Sequence, residues 1–345
     1  MQVVLHLYFF FTGAVVGSFL NVVIARVPRG ESVVRPRSRC PRCKSSIAWF
    51  DNVPVVSWLV LRARCRACGL PISARYPIVE ALTGVLALAI VRQYGINFVA
   101  LGYFAMAAAL VALAYIDLDT WLLPHEITWP LLALGLLSPL WNRPLGFVSS
   151  AAGAAIGFAL FAAIALFGER ILKRETMGWG DVWLLGGIGA WLGAPALLPV
   201  VMLSALQGAI VGSIMLAAAR RKAGAVPADP AVAAAAPVVP PATDAAPGAP
   251  NPAADPAVSN PAADSAAPAQ PASPADAPAH AAPAQDRDVP LAGAAPGAVA
   301  PEDDWTPPPG AVPYGPFLAL AALQQLLLGD FLIGAYDDLL RRLWS

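Results

Sequence analysis

The feature that leaves this chain the fewest options is a succession of apolar runs, each close to the length of a bilayer's hydrocarbon core. A helix needs about 20 mostly apolar residues to cross that core. Eight runs meet or approach this length, at 4–24, 78–94, 98–116, 127–141, 149–167, 182–192, 196–218 and 315–335. Water is missing from the hydrocarbon layer, so each backbone N–H and C=O must be paired within its own segment, which selects helices. The sequence therefore predicts an all-α polytopic membrane protein with about eight transmembrane helices. The first run lacks a basic leader and an A-x-A site, and it continues as "GSFLNVVIARVPRGE" into a basic loop. It is read as an uncleaved first span rather than a signal peptide.

Composition agrees, with 58% hydrophobic residues, and the formal net charge of zero gives no footprint for nucleic acid. The 35 prolines and 28 glycines are unusual for a helical membrane protein until their placement is considered. Many fall in 222–313, as in "PNPAADPAVSNPAADSAAPAQPASPADAPAH". That stretch has too few large apolar side chains to offset the entropy of ordering, and its prolines exclude a long helix. The expected organisation is a first transmembrane helix at 1–25, a cytoplasmic loop domain at 26–76 and a membrane core at 77–221. A disordered Ala/Pro-rich linker at 222–313 and a last transmembrane helix with its tail at 314–345 complete it.

Sidedness follows from the basic residues. The segment from Arg26 to Arg75 is rich in arginine and holds just Glu31 and Asp51 as acids. Further basic clusters are Arg170, Lys173 and Arg174, then Arg220, Arg221 and Lys222. With eight spans all three clusters fall on one face, which the positive-inside rule makes cytoplasmic. The N-terminus is then periplasmic, and Arg341 and Arg342 are a mild exception on the outer side.

On that topology the third run descends into "ALAYIDLDTWLLPHEIT" and ends near Asp117. Two crossings later the chain returns to the same face at "MGWGD", which closes on Asp181. Span parity alone gives both carboxylates one depth. Two acids at matched depth suit general acid–base chemistry: one ionised to take a proton from water, the other protonated to polarise a peptide carbonyl. Gly178 and Gly180 are expected to let the backbone turn tightly and let an extended peptide approach Asp181. Each aspartate also has a bland reading, Asp181 as an N-cap and Asp117 as an interfacial residue. Asp119 and Thr120 read as capping residues for the next span. Carboxylates in a membrane also serve ion-coupled transporters, whose sites usually sit at mid-bilayer rather than at one face.

All four cysteines lie in "CPRC" and "CRAC", at Cys40, Cys43, Cys65 and Cys68. Two C-x2-C knuckles about 20 residues apart match a closed four-thiolate zinc site. Two disulfides or a redox pair are the alternatives, and a reducing cytoplasmic loop disfavours disulfides. So small a loop would draw much of its folding energy from the metal.

At this point the chain resembles the type IV prepilin peptidases, bifunctional leader peptidase/N-methyltransferases of the aspartic GxGD membrane class. The motifs are "GSFLNVVIARVP", "RCPRCKSSIAWFDNVPVVSWLVLRARCRACGLPISARYPIVEALTG", "IDLDTWLLP", "MGWGD" and "GAWLG", in order, with the match resuming at "YGPFLALAA". The resemblance implies that Asp117 and Asp181 form the catalytic pair and that Cys40, Cys43, Cys65 and Cys68 hold zinc. It implies cleavage of the basic leader of prepilins and type II pseudopilins at the cytoplasmic face of the bacterial inner membrane. Methylation of the new N-terminus with S-adenosylmethionine would follow. Prepilins, pseudopilins and membrane lipid are the expected partners, and nucleic acid is not. Trp183 stands where family members commonly have lysine, and His125 where Asp or Asn often follows "LP". No glycine-rich nucleotide fingerprint is present, so the residues holding the methyl donor are not identified; Glu80, Arg75 and "WFDN" at 49–52 are weak candidates. The competing readings are a peptidase without methyl transfer and, in a different class, an ion-coupled transporter.

Overall fold

The structure, a computed structural model, describes residues 2–40, 42–173, 177–224 and 312–344. The expected linker at 222–313 lies almost wholly outside the described residues. Nine α-helices are found among those described. They are α1 (Gln2–Arg26), α2 (Val56–Val60), α3 (Arg75–Tyr94), α4 (Phe98–Thr120), α5 (His125–Leu137), α6 (Phe147–Leu172), α7 (Trp179–Leu192), α8 (Leu197–Gly224) and α9 (Gly315–Trp344). Short 3-10 turns join some of them, and among the described residues there is no strand beyond two isolated bridges.

Each of the eight apolar runs is a helix. Five helical segments are long and apolar enough to cross a membrane, beginning at Gln2, Arg75, Phe98, Phe147 and Ala194. Gly315–Gly329 is a shorter apolar stretch. α5 and α7 have 13 and 14 residues, about 20 Å of helix each against a hydrocarbon core of about 30 Å. The reason α7 can be short is its position: it is buried from Leu184 through Trp191 and packs on α5, α6, α8 and α9. A helix enclosed by protein need not match the lipid thickness.

Close backbone approach holds α6 and α7 together. A Cβ at Gly153 would run into the Gly189 carbonyl, and one at Gly189 into that of Gly153. Lipid is as apolar as a leucine side chain, so such contacts between small residues, rather than hydrophobic burial, drive helix pairing in a membrane. Polar ties add to this: Ser150 donates to the Ala190 carbonyl at 2.8 Å, and the Trp191 indole N–H donates to the Leu131 carbonyl at 2.8 Å. Each contributes about 1 kcal/mol.

The segment between α1 and α3 folds as two matching knuckles. Cys40 N–H donates to the Ser45 carbonyl and Cys65 N–H to that of Leu70, both at 2.9 Å. Lys44 N–H returns to the Cys40 carbonyl and Gly69 N–H to that of Cys65. Lys44 and Gly69 occupy equivalent left-handed positions, with φ of 59° and 68°. Arg66 pairs with both carboxylate oxygens of Asp51, at 2.8 and 2.7 Å. The segment is tied to the helices by Glu80, whose Oε2 accepts the Val55 N–H at 2.7 Å, and by Asn21, which donates to the Tyr76 carbonyl at 3.2 Å.

Candidate active site and metal centre

Three helix ends converge: the C-terminus of α4, the N-terminus of α7 and the N-terminus of α9. Asp117 lies in the last turn of α4 and is 5% exposed. That turn is closed by Trp121, in the left-handed region at φ 58°, which returns its N–H to the Asp117 carbonyl at 2.9 Å. Asp181 lies in the first turn of α7, two residues after Trp179 opens it; the cap of that helix is Gly178, not Asp181. The two helix ends present opposite partial charge, negative at Asp117 and positive at Asp181, so the two carboxylates are not equivalent.

Gly315 joins them. Its N–H donates to Asp117 Oδ2 at 3.0 Å. A Cβ built on Gly315 would stand 2.5 Å from Asp117 Oδ2 and 3.5 Å from Asp181 Oδ1, so the two carboxylate oxygens are no farther apart than the sum of those distances. Asp181 Oδ1 is buried and has no hydrogen-bond partner among the described residues. A buried oxygen without a donor is costly in a folded protein. Asp117 thus has a fixed backbone donor, and Asp181 has an open acceptor aimed at the same small space. Gly315 was not among the residues singled out from the sequence. Tyr314, beside it, hydrogen-bonds with the Ser204 hydroxyl of α8.

The two glycines before Asp181 differ. A Cβ on Gly180 would lie 2.7 Å from Leu123 Cβ, so the turn packs tightly on the segment between α4 and α5. Gly178 has φ −68°, and among the described residues nothing lies within 4 Å of a Cβ built on it. Asp119 and Thr120 do not cap the next helix. α4 continues through both, Thr120 bonds back to the Ile116 carbonyl, and Asp119 is taken by Arg75; the position before α5 is Pro124. His125 stacks on Trp129 at 5.2 Å, and Trp183 meets both rings edge-on at 6.4 and 6.1 Å. His125 and Trp183 therefore touch each other beside the Asp181 turn.

The four cysteines come together. Their sulfur atoms all lie within 4.8 Å of one another, with Cys40 and Cys68 Sγ 4.0 Å apart. A tetrahedral zinc with Zn–S bonds of about 2.3 Å sets its sulfurs about 3.8 Å apart, so the donor set fits such an ion. Backbone N–H donors, chiefly that of Cys43, pull the Cys40 thiol down to about 6, whereas at Cys68 the Leu70 N–H is outweighed by burial and the neighbouring thiols, which push it up to about 11. Of the weak candidates for the methyl donor, Glu80 accepts from the Val55 N–H, Arg75 pairs with Asp119, and Asp51 of the 49–52 segment pairs with Arg66.

Residues 11–94 match the bacterial peptidase A24 N-terminal domain, and residues 104–213 match the type IV leader peptidase family. The chain is similar to a Myxococcus xanthus (strain DK1622) protein named prepilin leader peptidase/N-methyltransferase, 40% identical over 328 residues, covering 94% of this chain and 90% of that one. An Aeromonas hydrophila protein of the same name is 40% identical over 236 residues, covering 60% of this chain and 80% of the relative. One from Burkholderia pseudomallei (strain 1026b) is 37% identical over 227 residues, covering 59% and 74%. No solved structure matches.

Proposed function

Since this chain belongs to the type IV leader peptidase family, we propose that Asp117 and Asp181 are the carboxylate pair with which it cleaves prepilins. Its activity is leader-peptide removal followed by N-methylation of the new N-terminus. The observation that carries the assignment of residues is the single glycine that both carboxylates flank. One carboxylate, ionised, takes a proton from water as the water attacks the scissile carbonyl. The other, protonated, donates to that carbonyl oxygen. The proton then passes to the departing amine, with no covalent intermediate. Asp117, braced by the Gly315 N–H, keeps its place through the cycle, and the open oxygen of Asp181 can accept the proton of the incoming water.

The substrates are prepilins and type II pseudopilins, whose basic leader meets an apolar helix at the membrane surface. By the positive-inside rule the face holding Asp117, Asp181 and the cysteines is cytoplasmic, in the inner membrane, with the N-terminus periplasmic. Cys40, Cys43, Cys65 and Cys68 hold a structural zinc: with four protein ligands it has no open position, and it supplies folding energy to the loop rather than chemistry. S-adenosylmethionine is the methyl donor. Residues 222–313 serve as a linker ahead of the last helix.

The test is mass spectrometry of a prepilin co-expressed with the enzyme, with Asp117→Asn and Asp181→Asn variants in parallel. The intact enzyme gives a shortened pilin carrying one added methyl group. Each variant inserts and leaves the leader in place, a loss of about a thousandfold or more in cleavage. Full cleavage by either variant removes that residue from the pair.

A further inference from the structure

Arg75 opens α3 directly after the four-cysteine segment, and its side chain reaches to the end of α4. Its Nη1 meets both carboxylate oxygens of Asp119 at 2.7 Å. Its Nη2 donates to the Tyr115 carbonyl at 3.2 Å, and its guanidinium carbon stands 4.8 Å from the centre of the Tyr115 ring. Tyr115 and Asp119 are four residues apart and share a face of α4, whereas Asp117, midway between them, falls on the opposite face. The grip is therefore on the back of the turn whose front carries the carboxylate. The last turn of a helix frays first, and a cation there is favoured by the partial negative charge of the helix end. The planar fork also matters, because it reaches a carboxylate and a carbonyl at once while its face lies on the aromatic ring. A lysine ammonium is a point donor and does not reproduce this. The base of the side chain is steadied in turn by Ser73, whose hydroxyl accepts the Arg75 N–H at 3.3 Å.

We propose that Arg75 is a positioning residue for leader cleavage: it clamps the last turn of α4 from behind and so holds Asp117 against Gly315 and beside Asp181. The proposal rests on Asp117 being a member of the catalytic pair. Arg75 touches none of the reacting groups, so its loss misaims Asp117 without removing it. Release of the clamp lowers turnover more than it weakens substrate binding, since the clamp acts on Asp117 through the last turn of α4.

The experiment measures kcat and KM for cleavage of a purified prepilin by the full-length enzyme in proteoliposomes. The variants are Arg75→Ala, Arg75→Lys, Asp119→Asn and the Arg75→Ala/Asp119→Asn double, with Asp117→Asn as reference. Arg75→Ala is expected to lower kcat by about tenfold to a hundredfold, the scale of a small misplacement of a reacting group, with KM within about twofold of the intact enzyme. Arg75→Lys recovers part of the loss. The double variant is no worse than the poorer single, because both changes open the same clamp. If Arg75→Ala keeps kcat per folded molecule within about twofold, or if the two losses add, the clamp is wrong. Where Arg75→Ala does not insert, Asp119→Asn decides by the same criterion. Full cleavage by Asp117→Asn sinks the premise along with the proposal; a dead Asp117→Asn beside a fully active Arg75→Ala sinks the clamp alone.

Discussion

Replacing Gly315 by alanine probes the centre at its most crowded point. The added Cβ would stand 2.5 Å from Asp117 Oδ2 and 3.2 Å from its Cγ, with Asp181 Oδ1 at 3.5 Å. Real Cβ contacts essentially never fall under 3.0 Å, so the Asp117 carboxylate must withdraw from the position in which it accepts the Gly315 N–H at 3.0 Å. Gly315 has no left-handed φ, so alanine meets no backbone strain there and the effect belongs to crowding. A hydrogen bond to a charged group contributes about 1.5–3 kcal/mol, which is about ten- to a hundredfold in rate if all of it is lost from the transition state. Misplacement of a reacting group by about an ångström costs about a hundredfold by itself. The expected result is a cleavage rate about a hundredfold below that of the intact enzyme, with insertion and the methylation of already-cleaved pilin preserved. The assay is single-turnover cleavage of a prepilin, followed by gel shift, with methylation of mature pilin as the control for folding. Cleavage by Gly315→Ala within about twofold of the intact enzyme would refute the reasoning, because it would mean that Asp117 does not work from the position described.

The other expectations concern the four-cysteine segment. Cys40→Ser or Cys65→Ser removes one of four thiolates from a set whose sulfurs lie within 4.8 Å, and zinc content is expected to fall from about one per chain to a small fraction of that. Metal analysis that finds no zinc in the intact protein counts against the site itself. The Arg66 hydrogen bond holds the Asp51 carboxyl below its ordinary range. A depressed carboxylate stabilises the fold in full above its unfolded value of about 4 and loses that contribution as pH falls through the lower folded value. Asp51→Asn should therefore flatten the dependence of melting temperature on pH below about 4, and an unchanged acid limb would show that the pair contributes nothing.

Much of the centre was legible before any coordinates. Parity of the apolar runs put Asp117 and Asp181 on one face, because a helix that must satisfy its own backbone leaves the chain few ways to run. The cysteine spacing likewise pointed to a single cluster. Gly315 was not legible for a physical reason: what it contributes is a backbone N–H and the lack of a Cβ, neither of which carries a chemical signature. The same parity already starts its helix on that face, and Pro316 just inside the start is a recognised opening signal, but neither singles out the glycine. Asp119 was misread because Asp-Thr before an apolar run is a sound capping pattern. Nothing local reveals that an arginine 44 residues earlier claims the carboxylate and that the helix runs on beneath it. The run at 182–192 falls short of spanning length because the length of α7 answers to neighbouring helices and not to lipid.

Gly315 reaches the centre at the head of α9, after a long stretch of chain separating it from Asp117 and Asp181 in sequence. α9 packs on α4 and α8 and is joined to the rest of the molecule through residues 225–311. A protein severed within that stretch would consist of two polypeptides, the larger owning both acids and the smaller owning the amide that braces one of them. Neither alone would be a working protease, yet the two made together in one membrane have the surfaces to find each other. Reassembly from halves would make leader removal depend on how much of the smaller fragment the cell makes.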